Sequence, residues 1–439
     1  MGKVLRRALG GVAVAAAIVV AVPFLVPVSH LIPEITRVAS ERLGQPVAME
    51  DLTLHLVPTP RVVGHRITVG RKKNQVLIGE LEIVPELRSL LKGPRSLRLI
   101  RASRVALDEG ALSIPRTMPK RRVDEPVLVR RLVLTTVKLN HAKVDVPLFN
   151  VDVRLGEGAR IREARFETSD GALKLLVRPG DDHAIALLLR ATNWTLPVGA
   201  PLTFDSLAAQ GTLRGQSLEI DTIEGELYGG TLVGAAQADW GKQLQLAGKA
   251  QLAGIDLVPV QKALGKPSKL SGRLKADAVF STHAKTPAEL RGALSLDGPF
   301  EVLGGVYQGV DLSRAGELAG ERRSDDATTF EELKGRLELR GERVRLNQLC
   351  IRSPKIVAGG NVDIAPDKTL SGKLHIAVAQ TGGIVGVPVA LSGTTEEPTM
   401  RPSKGYLISA AIGTVLLPGI GTSIGLTLGG QMERSADCK

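Results

Sequence analysis

Aliphatic and polar residues alternate through most of this chain, from Leu52-x-Leu54 near its start to Leu374-x-Ile376-x-Val378 near its end. A period of two places every second side chain on the same face of a β-strand. In an antiparallel sheet, this alternation gives one apolar face and one face in water. The pattern therefore predicts a mainly β protein built around one long antiparallel sheet.

The aliphatic positions of the predicted strands are candidates for a single apolar surface. They are Leu52, Leu54, Leu132, Leu134, Val151, Val153, Ile185, Leu187, Leu189, Leu244, Leu246, Leu274, Leu337, Leu339, Leu374, Ile376 and Val378. Residues 211–232 and 335–363 also resemble each other, because each runs as a Gly-x-Leu strand, a second alternating strand and a Gly-Gly turn into a third. This self-similarity favours a sheet of like units, although it is not the fixed period of a solenoid.

Two short helices are predicted beside the strands. Residues 34–43 space their apolar side chains at helical intervals, and Gly44 ends that helix; residues 86–92 fit a second helix that Gly93 closes. Pairs of glycines predict turns between strands. These pairs are Gly229-Gly230, Gly304-Gly305 and Gly359-Gly360.

The N-terminus carries a long apolar run. Ala8 to Val28 contains no charge and follows Lys3, Arg6 and Arg7. The run is long enough to cross a bilayer as a helix, and it exceeds the usual apolar stretch of a cleaved signal peptide, which is the alternative. Basic residues ahead of the run place the N-terminus in the cytoplasm. We therefore predict a single-pass membrane protein whose bulk lies outside the cytoplasm, in the periplasm if the cell is a Gram-negative bacterium.

A second uncharged stretch lies near the C-terminus. Gly405 to Met432 carries no charge, and Pro418 interrupts it. An apolar, glycine-rich helical tail is predicted here. It is either a helical cap on the sheet or a hairpin at the membrane interface, and a second full crossing is less favoured.

Composition narrows the class of protein. Hydrophobic residues make up 43% of 439, yet Phe, Tyr and Trp number only 7, 3 and 2. This aliphatic richness disfavours disorder. Two cysteines, Cys350 and Cys438, are too few for a disulfide or metal scaffold, and whether they pair is left open.

Catalytic motifs are lacking. Residues 421–425 match the G-x-S-x-G pattern of a hydrolase, but the last histidine, His375, precedes them and cannot serve as the later base. There is no phosphate-binding glycine loop and no Cys-x-x-Cys, and the histidines are dispersed. We predict no enzyme activity, no cofactor and no metal site.

Several motifs in a fixed order resemble the AsmA family. They are Leu43-Gly44-Gln45-Pro46-Val47, the Pro58-Thr59-Pro60 turn, Leu87-x-x-Leu90-Leu91-x-Gly93 before Leu97-x-Leu99, Val105-x-Leu107, Leu270-Ser271-Gly272-Arg273-Leu274, Leu303 to Leu312, and Val387 to Pro398. The resemblance spans most of the chain, although residues 120–200 match only as generic strands. It implies a periplasmic β-sheet, anchored in the inner membrane and curled into an apolar groove that conducts phospholipid towards the outer membrane and supports its integrity.

The aliphatic composition agrees with that implication, because small side chains leave space that acyl chains can fill. The resemblance suggests four parts: anchor 1–33, membrane-proximal domain 34–120, β-groove 121–400 and tail 401–439. Roughly 25 strands stacked about 4.8 Å apart reach at most about 120 Å, so we also predict a protein partner at the far end. The alternative is a non-enzymatic scaffold that assembles outer-membrane proteins by pairing strand edges.

Positive charge is concentrated near the anchor. Residues 1–150 carry 24 Lys and Arg against 12 Asp and Glu, whereas the rest of the chain carries 33 of each. Five basic residues are candidates to face anionic headgroups: Arg61, Arg66, Arg71, Lys72 and Lys73. A merely solvated basic face is the equally weighted alternative, and a nucleic-acid partner is not predicted.

Overall fold

The computed structural model describes residues 32–71, 75–86, 96–108, 128–140, 146–157, 160–196, 201–286, 289–290, 292–309, 311–312, 326–378, 386–403 and 438. About 70% of these residues lie in strands, and helices are few. The prediction of a mainly β protein is therefore confirmed. The chain forms two compact units, residues 1–190 and residues 191–439. The finer division into four parts stays a prediction.

The first unit contains one described helix and ten strands. They are α1 (Ile32–Leu43), β1 (Val47–Ala48), β2 (Asp51–His55), β3 (Arg61–Val69), β4 (Val76–Pro85), β5 (Ser96–Asp108), β6 (Leu128–Val129), β7 (Arg131–Asn140), β8 (Phe149–Leu155), β9 (Ile161–Thr168) and β10 (Leu173–Pro179). The next strand, β11 (Ile185–Thr195), straddles the boundary between the units.

The second unit continues with twelve described strands and one short helix. They are β12 (Thr203–Arg214), β13 (Ser217–Leu227), β14 (Gly230–Asp239), β15 (Leu244–Asp256), α2 (Leu257–Ala263), β16 (Arg273–Ala284), β17 (Ser295–Gln308), β18 (Ala327–Arg340), β19 (Arg343–Arg352), β20 (Ile356–Ile364), β21 (Leu370–Val378), β22 (Gly386–Gly393) and β23 (Pro398–Pro402). Each strand from β12 to β22 pairs antiparallel with the next. Within this unit the sheet curls, because Lys269 before β16 reaches Thr395 in the turn between β22 and β23.

One pairing in the first unit departs from the antiparallel prediction. β5 runs parallel to β7, with Ile100 opposite Leu132, and also parallel to β6. A parallel pair needs a crossover of a dozen or more residues, and residues 109–127 between β5 and β6 are long enough to supply it. The alternation of side chains reports the face of a strand and not its direction, so the sequence pattern could not reveal this exception.

Helix α1 confirms the helix predicted over residues 34–43. Arg37 reaches both neighbouring turns, with Nη1 at 2.9 Å from Glu41 Oε1 and Nη2 at 2.5 Å from Glu34 Oε1. The hydrogen bond from Arg37 holds the pKa of Glu34 below its usual value. Gly44 then adopts a φ of 64°, the left-handed conformation that ends helices.

Two of the three predicted glycine turns lie inside strands instead. Gly229-Gly230 does join β13 to β14, but Gly304-Gly305 is within β17 and Gly359-Gly360 is within β20. A Cβ on Gly360 would lie 2.0 Å from Lys373 O. Glycine serves there for close backbone approach and not for chain reversal, so this part of the turn prediction was wrong.

The two units share a bulged hairpin. In β7–β8 the register shifts at Thr136, whose φ is 53°, and its N–H donates to Asn150 Oδ1 at 2.9 Å. In β19–β20 the register shifts at Gln348, whose φ is 52°, and its N–H donates to Asn361 Oδ1 at 2.9 Å. An asparagine on the second strand therefore satisfies the donor that the bulge releases from the ladder.

The likeness extends to the next residues of each hairpin. Asn150 and Asn361 both begin an Asn-Val-Asp sequence. Asp152 accepts two hydrogen bonds from Arg131, at 2.9 and 2.7 Å, and Asp363 accepts two from Arg343, at 3.1 and 3.3 Å. In each copy the asparagine caps the bulge, the valine points inward and the aspartate forms an ion pair on the outer face. This structural repeat differs from the one predicted over residues 211–232 and 335–363.

Several sequence predictions lie outside the described residues. They concern the apolar run 8–28, most of the helix over 86–92, and the tail 405–432. Within the described residues, no helix is both long and apolar enough to cross a membrane.

Candidate ligand-binding groove

Cross-strand pairing assigns the predicted aliphatic residues of the first unit to one face, because directly opposed residues point the same way. Leu134 lies opposite Ala102 on β5 and Val151 on β8. Leu132 lies opposite Val153. Leu52 and Leu54 reach the same face through pairs on β3 and β4. We call this the inner face of the first unit.

The second unit has a corresponding inner face. Leu337 lies opposite Gly298 on one side and Leu346 on the other, and Leu374 lies between Gly360 and Val389. The same pairing rows bring eight predicted residues to this face: Leu244, Leu246, Leu274, Leu337, Leu339, Leu374, Ile376 and Val378. The side chain of Val378 lies outside the described atoms. Ile185, Leu187 and Leu189 are half-buried on β11.

A cavity of about 500 Å³ opens on the inner face of the second unit. It is lined by Leu252, Leu257, Leu270, Leu274, Ala276, Asp277, Ala278, Leu296, Gly298, Pro299, Phe300, Val302, Tyr307, Leu312, Thr328, Phe330, Leu333, Leu337, Leu346, Leu349, Ile351, Val362, Ile364, Leu370, Leu374, Leu391, Thr395, Pro398 and Met400. They include residues of every strand from β15 to β23, together with Leu257 of α2 and residues of the connecting segments. The lining is apolar except at Asp277, Thr328, Thr395 and the hydroxyl of Tyr307.

The predicted residues play different parts around this cavity. Leu274, Leu337 and Leu374 line it. Ile376 and Val389 belong to the same buried core as Leu374 but do not line the cavity, and Val389 is 1% exposed. Leu244, Leu246 and Leu339 share the face but lie beyond the cavity lining. The sequence pattern therefore predicts the face but does not separate residues that hold the fold from residues that contact a ligand.

Aromatic residues at the cavity were not predicted. Phe300, Tyr307 and Phe330 all line it. Phe330 lies against Gly305, and Phe300 is paired with Gly335 across β17 and β18. A ring that lies on a glycine occupies space that a neighbouring side chain would otherwise take. The sequence could indicate these rings only as phenylalanines that lie opposite glycines on the neighbouring strand. That pairing cannot be recognised until the register of β17 and β18 is known.

The outer faces carry ion pairs between neighbouring strands. Asp363 accepts hydrogen bonds from Arg343 and Arg345, each at 3.1 Å. Arg352 Nη1 lies 2.9 Å from Glu332 Oε2. Charges of opposite sign on adjacent strands stabilise a sheet modestly. They also give the outer face a polar character, whereas the inner face of the second unit carries the apolar lining of the cavity.

The basic residues predicted to face headgroups are partly engaged in ion pairs. Arg61 Nε lies 3.6 Å from Glu82 Oε1, and Arg66 pairs with Glu50. Arg71 is exposed just after β3, whereas Lys72 and Lys73 lie outside the described residues. The two ion pairs reduce the local excess of positive charge. Contact with headgroups at this patch stays a prediction.

Cys350 and Cys438 form a disulfide, with Cα atoms 5.4 Å apart. Cys350 lies on the outer face of β19, opposite Gly359, where no side chain competes for the space. Arg352 Nη2 donates to the carbonyl of Cys438 at 3.2 Å. The question that the sequence left open is thereby resolved in favour of pairing.

A second cavity, of about 690 Å³, is lined largely by polar and charged residues, among them Lys275, Glu301, Glu332 and Lys334. Lys334 Nζ lies 3.5 Å from Glu332 Oε1, so part of this charge is paired within the protein. The described residues hold no group of three or more His, Cys, Asp or Glu side chains able to bind a metal ion. The apolar cavity is therefore the candidate site.

Comparison of the chain with protein-family models, curated proteins and solved structures finds no match. The resemblance to the AsmA family accordingly stays a prediction from the motifs.

Proposed function

We propose that this chain is an inner-membrane-anchored periplasmic protein that binds lipid acyl chains in its β-sheet groove. In this proposal it helps to move phospholipid between the inner and outer membranes and so supports outer-membrane integrity. The observation that carries the proposal is the apolar cavity on the inner face of the second unit. Its size falls within the range of about 300–1,000 Å³ that is typical of small-molecule sites.

The energetics of the cavity favour a hydrocarbon ligand. Each methylene transferred from water to an apolar site contributes about 0.8 kcal/mol. Ten methylenes would therefore contribute about 8 kcal/mol before the costs of association are subtracted. A hydrocarbon ligand needs no catalytic group, because its binding depends on the apolar surface area that is buried.

Two further features support the proposed compartment. A disulfide persists in oxidising compartments such as the periplasm. The run from Ala8 to Val28 is long enough to serve as the anchor of this proposal. A protein partner at the distal end belongs to the same proposal.

The scaffold alternative needs a strand edge that can accept a client strand. The last described strand, β23, begins at Pro398 and ends at Pro402. Proline has no N–H to offer a pairing strand, and proteins use it to discourage strand addition. This observation favours the lipid-binding proposal over the scaffold.

Photo-crosslinking in living cells tests the proposal. A photoreactive amino acid replaces Leu337 inside the cavity, Leu246 farther along the same face, or Val279 on the outer face, which is 65% exposed. We expect mass spectrometry to find lipid adducts at the first two positions and few at Val279. Polypeptide adducts without lipid at Leu337, or equal lipid labelling at all three positions, would contradict the proposal.

A further inference from the structure

One ammonium group lies at the wall of the apolar cavity. Lys269 Nζ donates to Thr395 O at 3.1 Å and lies 3.5 Å from Glu396 O. Thr395 and Leu270, the residue after Lys269, both line the cavity. Lys269 is itself half-buried. A cation therefore lies where the cavity meets its rim.

This contact joins two distant parts of the curled sheet. Lys269 precedes β16, whereas Thr395 lies in the turn between β22 and β23, 126 residues farther along the chain. The segment before β16 and that turn face each other across the groove. A single flexible side chain connects them at this point.

The hydrogen-bond partners of Lys269 are neutral. Its Nζ is held by main-chain carbonyl oxygens, which carry no formal charge. The nearby carboxylate of Glu396 has its pKa lowered mainly by a hydrogen bond from Lys368, whose Nζ lies 3.1 Å from Glu396 Oε1, and to a smaller extent by the charge of Lys269. A charge-assisted hydrogen bond to a phosphate is stronger than a bond to a neutral carbonyl. An anionic group arriving at the rim would therefore compete well for Lys269.

We propose that Lys269 binds the phosphate of a phospholipid whose acyl chains occupy the cavity. This inference rests on the proposed function and adds the position of the headgroup. The ammonium exchanges its bonds to Thr395 and Glu396 for bonds to the phosphate, and the connection across the groove is released as the lipid enters. Ligand sites commonly combine an apolar lining with a few polar groups that fix orientation.

Fluorescence titration of the purified full-length chain tests the assignment. Two NBD-labelled lipids with the same acyl chains are compared: phosphatidylglycerol, which carries the phosphate, and diacylglycerol, which does not. Wild-type protein should bind phosphatidylglycerol about tenfold more tightly, as one charge-assisted hydrogen bond would provide. Lys269→Met should abolish this preference while its affinity for diacylglycerol stays within about twofold.

Two variants provide controls. Lys266→Met removes an exposed lysine three residues away and should keep the wild-type preference. Lys269→Arg keeps the positive charge and should also keep the wild-type preference for phosphatidylglycerol. If Lys269→Met is unstable, Lys269→Arg still shows whether the preference depends on the charge. Equal weakening of both lipids in Lys269→Met, or an unchanged preference, would overturn the inference.

Inorganic phosphate distinguishes a lipid headgroup from a free anion. At millimolar concentration it should compete weakly with phosphatidylglycerol and not at all with diacylglycerol. If phosphate binds in a Lys269-dependent way while the two lipids bind equally, Lys269 is a free-phosphate site and the headgroup assignment fails. If wild-type protein binds neither lipid, the proposed function fails and the inference fails with it. Binding of diacylglycerol without any preference leaves the proposed function standing and overturns the inference alone.

Discussion

Phe330 lies directly against Gly305, its partner across β17 and β18. A Cβ atom on residue 305 would lie 2.5 Å from Phe330 Cζ and 2.2 Å from Ser271 O. Both distances are too short for carbon contacts, so Gly305→Ala forces the ring or the backbone to move. We expect the free energy of unfolding to fall by about 1–3 kcal/mol, the usual range for overpacking. Urea unfolding followed by circular dichroism measures the change.

Gly292→Ala is the matched control for this prediction. A Cβ there would make an ordinary contact, 3.7 Å from Glu289 O. We expect Gly292→Ala to change the free energy of unfolding by no more than about 0.5 kcal/mol. Equal effects at the two glycines would show that the contact with Phe330 is not the cause.

Leu337→Trp should fill the cavity. Leu337 lines it, and a larger side chain has open space to enter, so the free energy of unfolding should change by less than about 1.5 kcal/mol. The affinity for lipid should fall at least about tenfold, because the tryptophan would exclude about two methylenes of the acyl chain from the cavity. Binding of an NBD-labelled lipid measures the effect. Val279→Trp, on the outer face, should leave lipid binding at the wild-type level.

Ile376→Ala should show the opposite pattern. Ile376 is 7% exposed and packs in the buried core, so its truncation should cost about 2–4 kcal/mol of unfolding free energy. Lipid affinity, measured under conditions where the variant is folded, should stay near that of the wild type. A variant that unfolds normally but no longer binds lipid would instead place Ile376 in the ligand site.

Loss of the disulfide should destabilise the second unit. The bond between Cys350 and Cys438 closes a loop with a sequence separation of 88. Constraint of the unfolded chain by a loop of that length is worth up to about 4.6 kcal/mol, and measured effects are typically about 2–4 kcal/mol. Cys438→Ser should lower the unfolding free energy by that typical amount. Dithiothreitol should lower it similarly in wild type and have no effect on the variant; sensitivity of the variant to the reductant would contradict the assignment.

The ion pair of the first bulged hairpin should give a pH-dependent contribution. Hydrogen bonds from Arg131 lower the pKa of Asp152 below its ordinary value of 3.8. As the pH falls, Asp152 is therefore protonated in the unfolded chain before it is protonated in the folded protein. The stabilisation of the fold by the ion pair is present above about pH 4 and is lost as the pH falls through the folded-state pKa of Asp152. Because Arg131 is half exposed, we expect less than about 1 kcal/mol.

Urea unfolding of wild type and Asp152→Asn between about pH 7 and about pH 3 checks this sign. The difference in stability should shrink as the pH drops below about 4. Arg131→Gln should remove the same pH-dependent part. A difference that persists unchanged at the acid end would show that Asp152 acts through packing and not through its charge.

The strand positions and helix α1 were predictable because they depend on local spacing. Leu132, Leu337 and Leu374 all lie in strands on the predicted apolar face. The parallel pairing of β5 and β7 was not predictable, since period two carries no information about strand direction. Gly305 was assigned to a turn because a glycine that reverses the chain and one that accommodates a ring look alike in sequence.

The candidate site was predictable only in part. Alternation predicts which side chains share a face, but the division between Leu337 in the cavity and Ile376 in the core depends on strands that approach from far along the chain. Lys269 and Thr395 are likewise brought together by the curl of the sheet. No local pattern contains that information.

The bulged hairpin that occurs in both units also bears on how such a chain can change its length over evolution. Each copy carries its own means of keeping the apolar side chains on one face, because the asparagine that caps the bulge lies within the hairpin. Duplicating one copy adds two strands, about 10 Å of sheet, without redesign of the neighbouring strands. Gain or loss of a whole hairpin would therefore change the length of such a sheet by about 10 Å, while the remaining strands keep their own pairing.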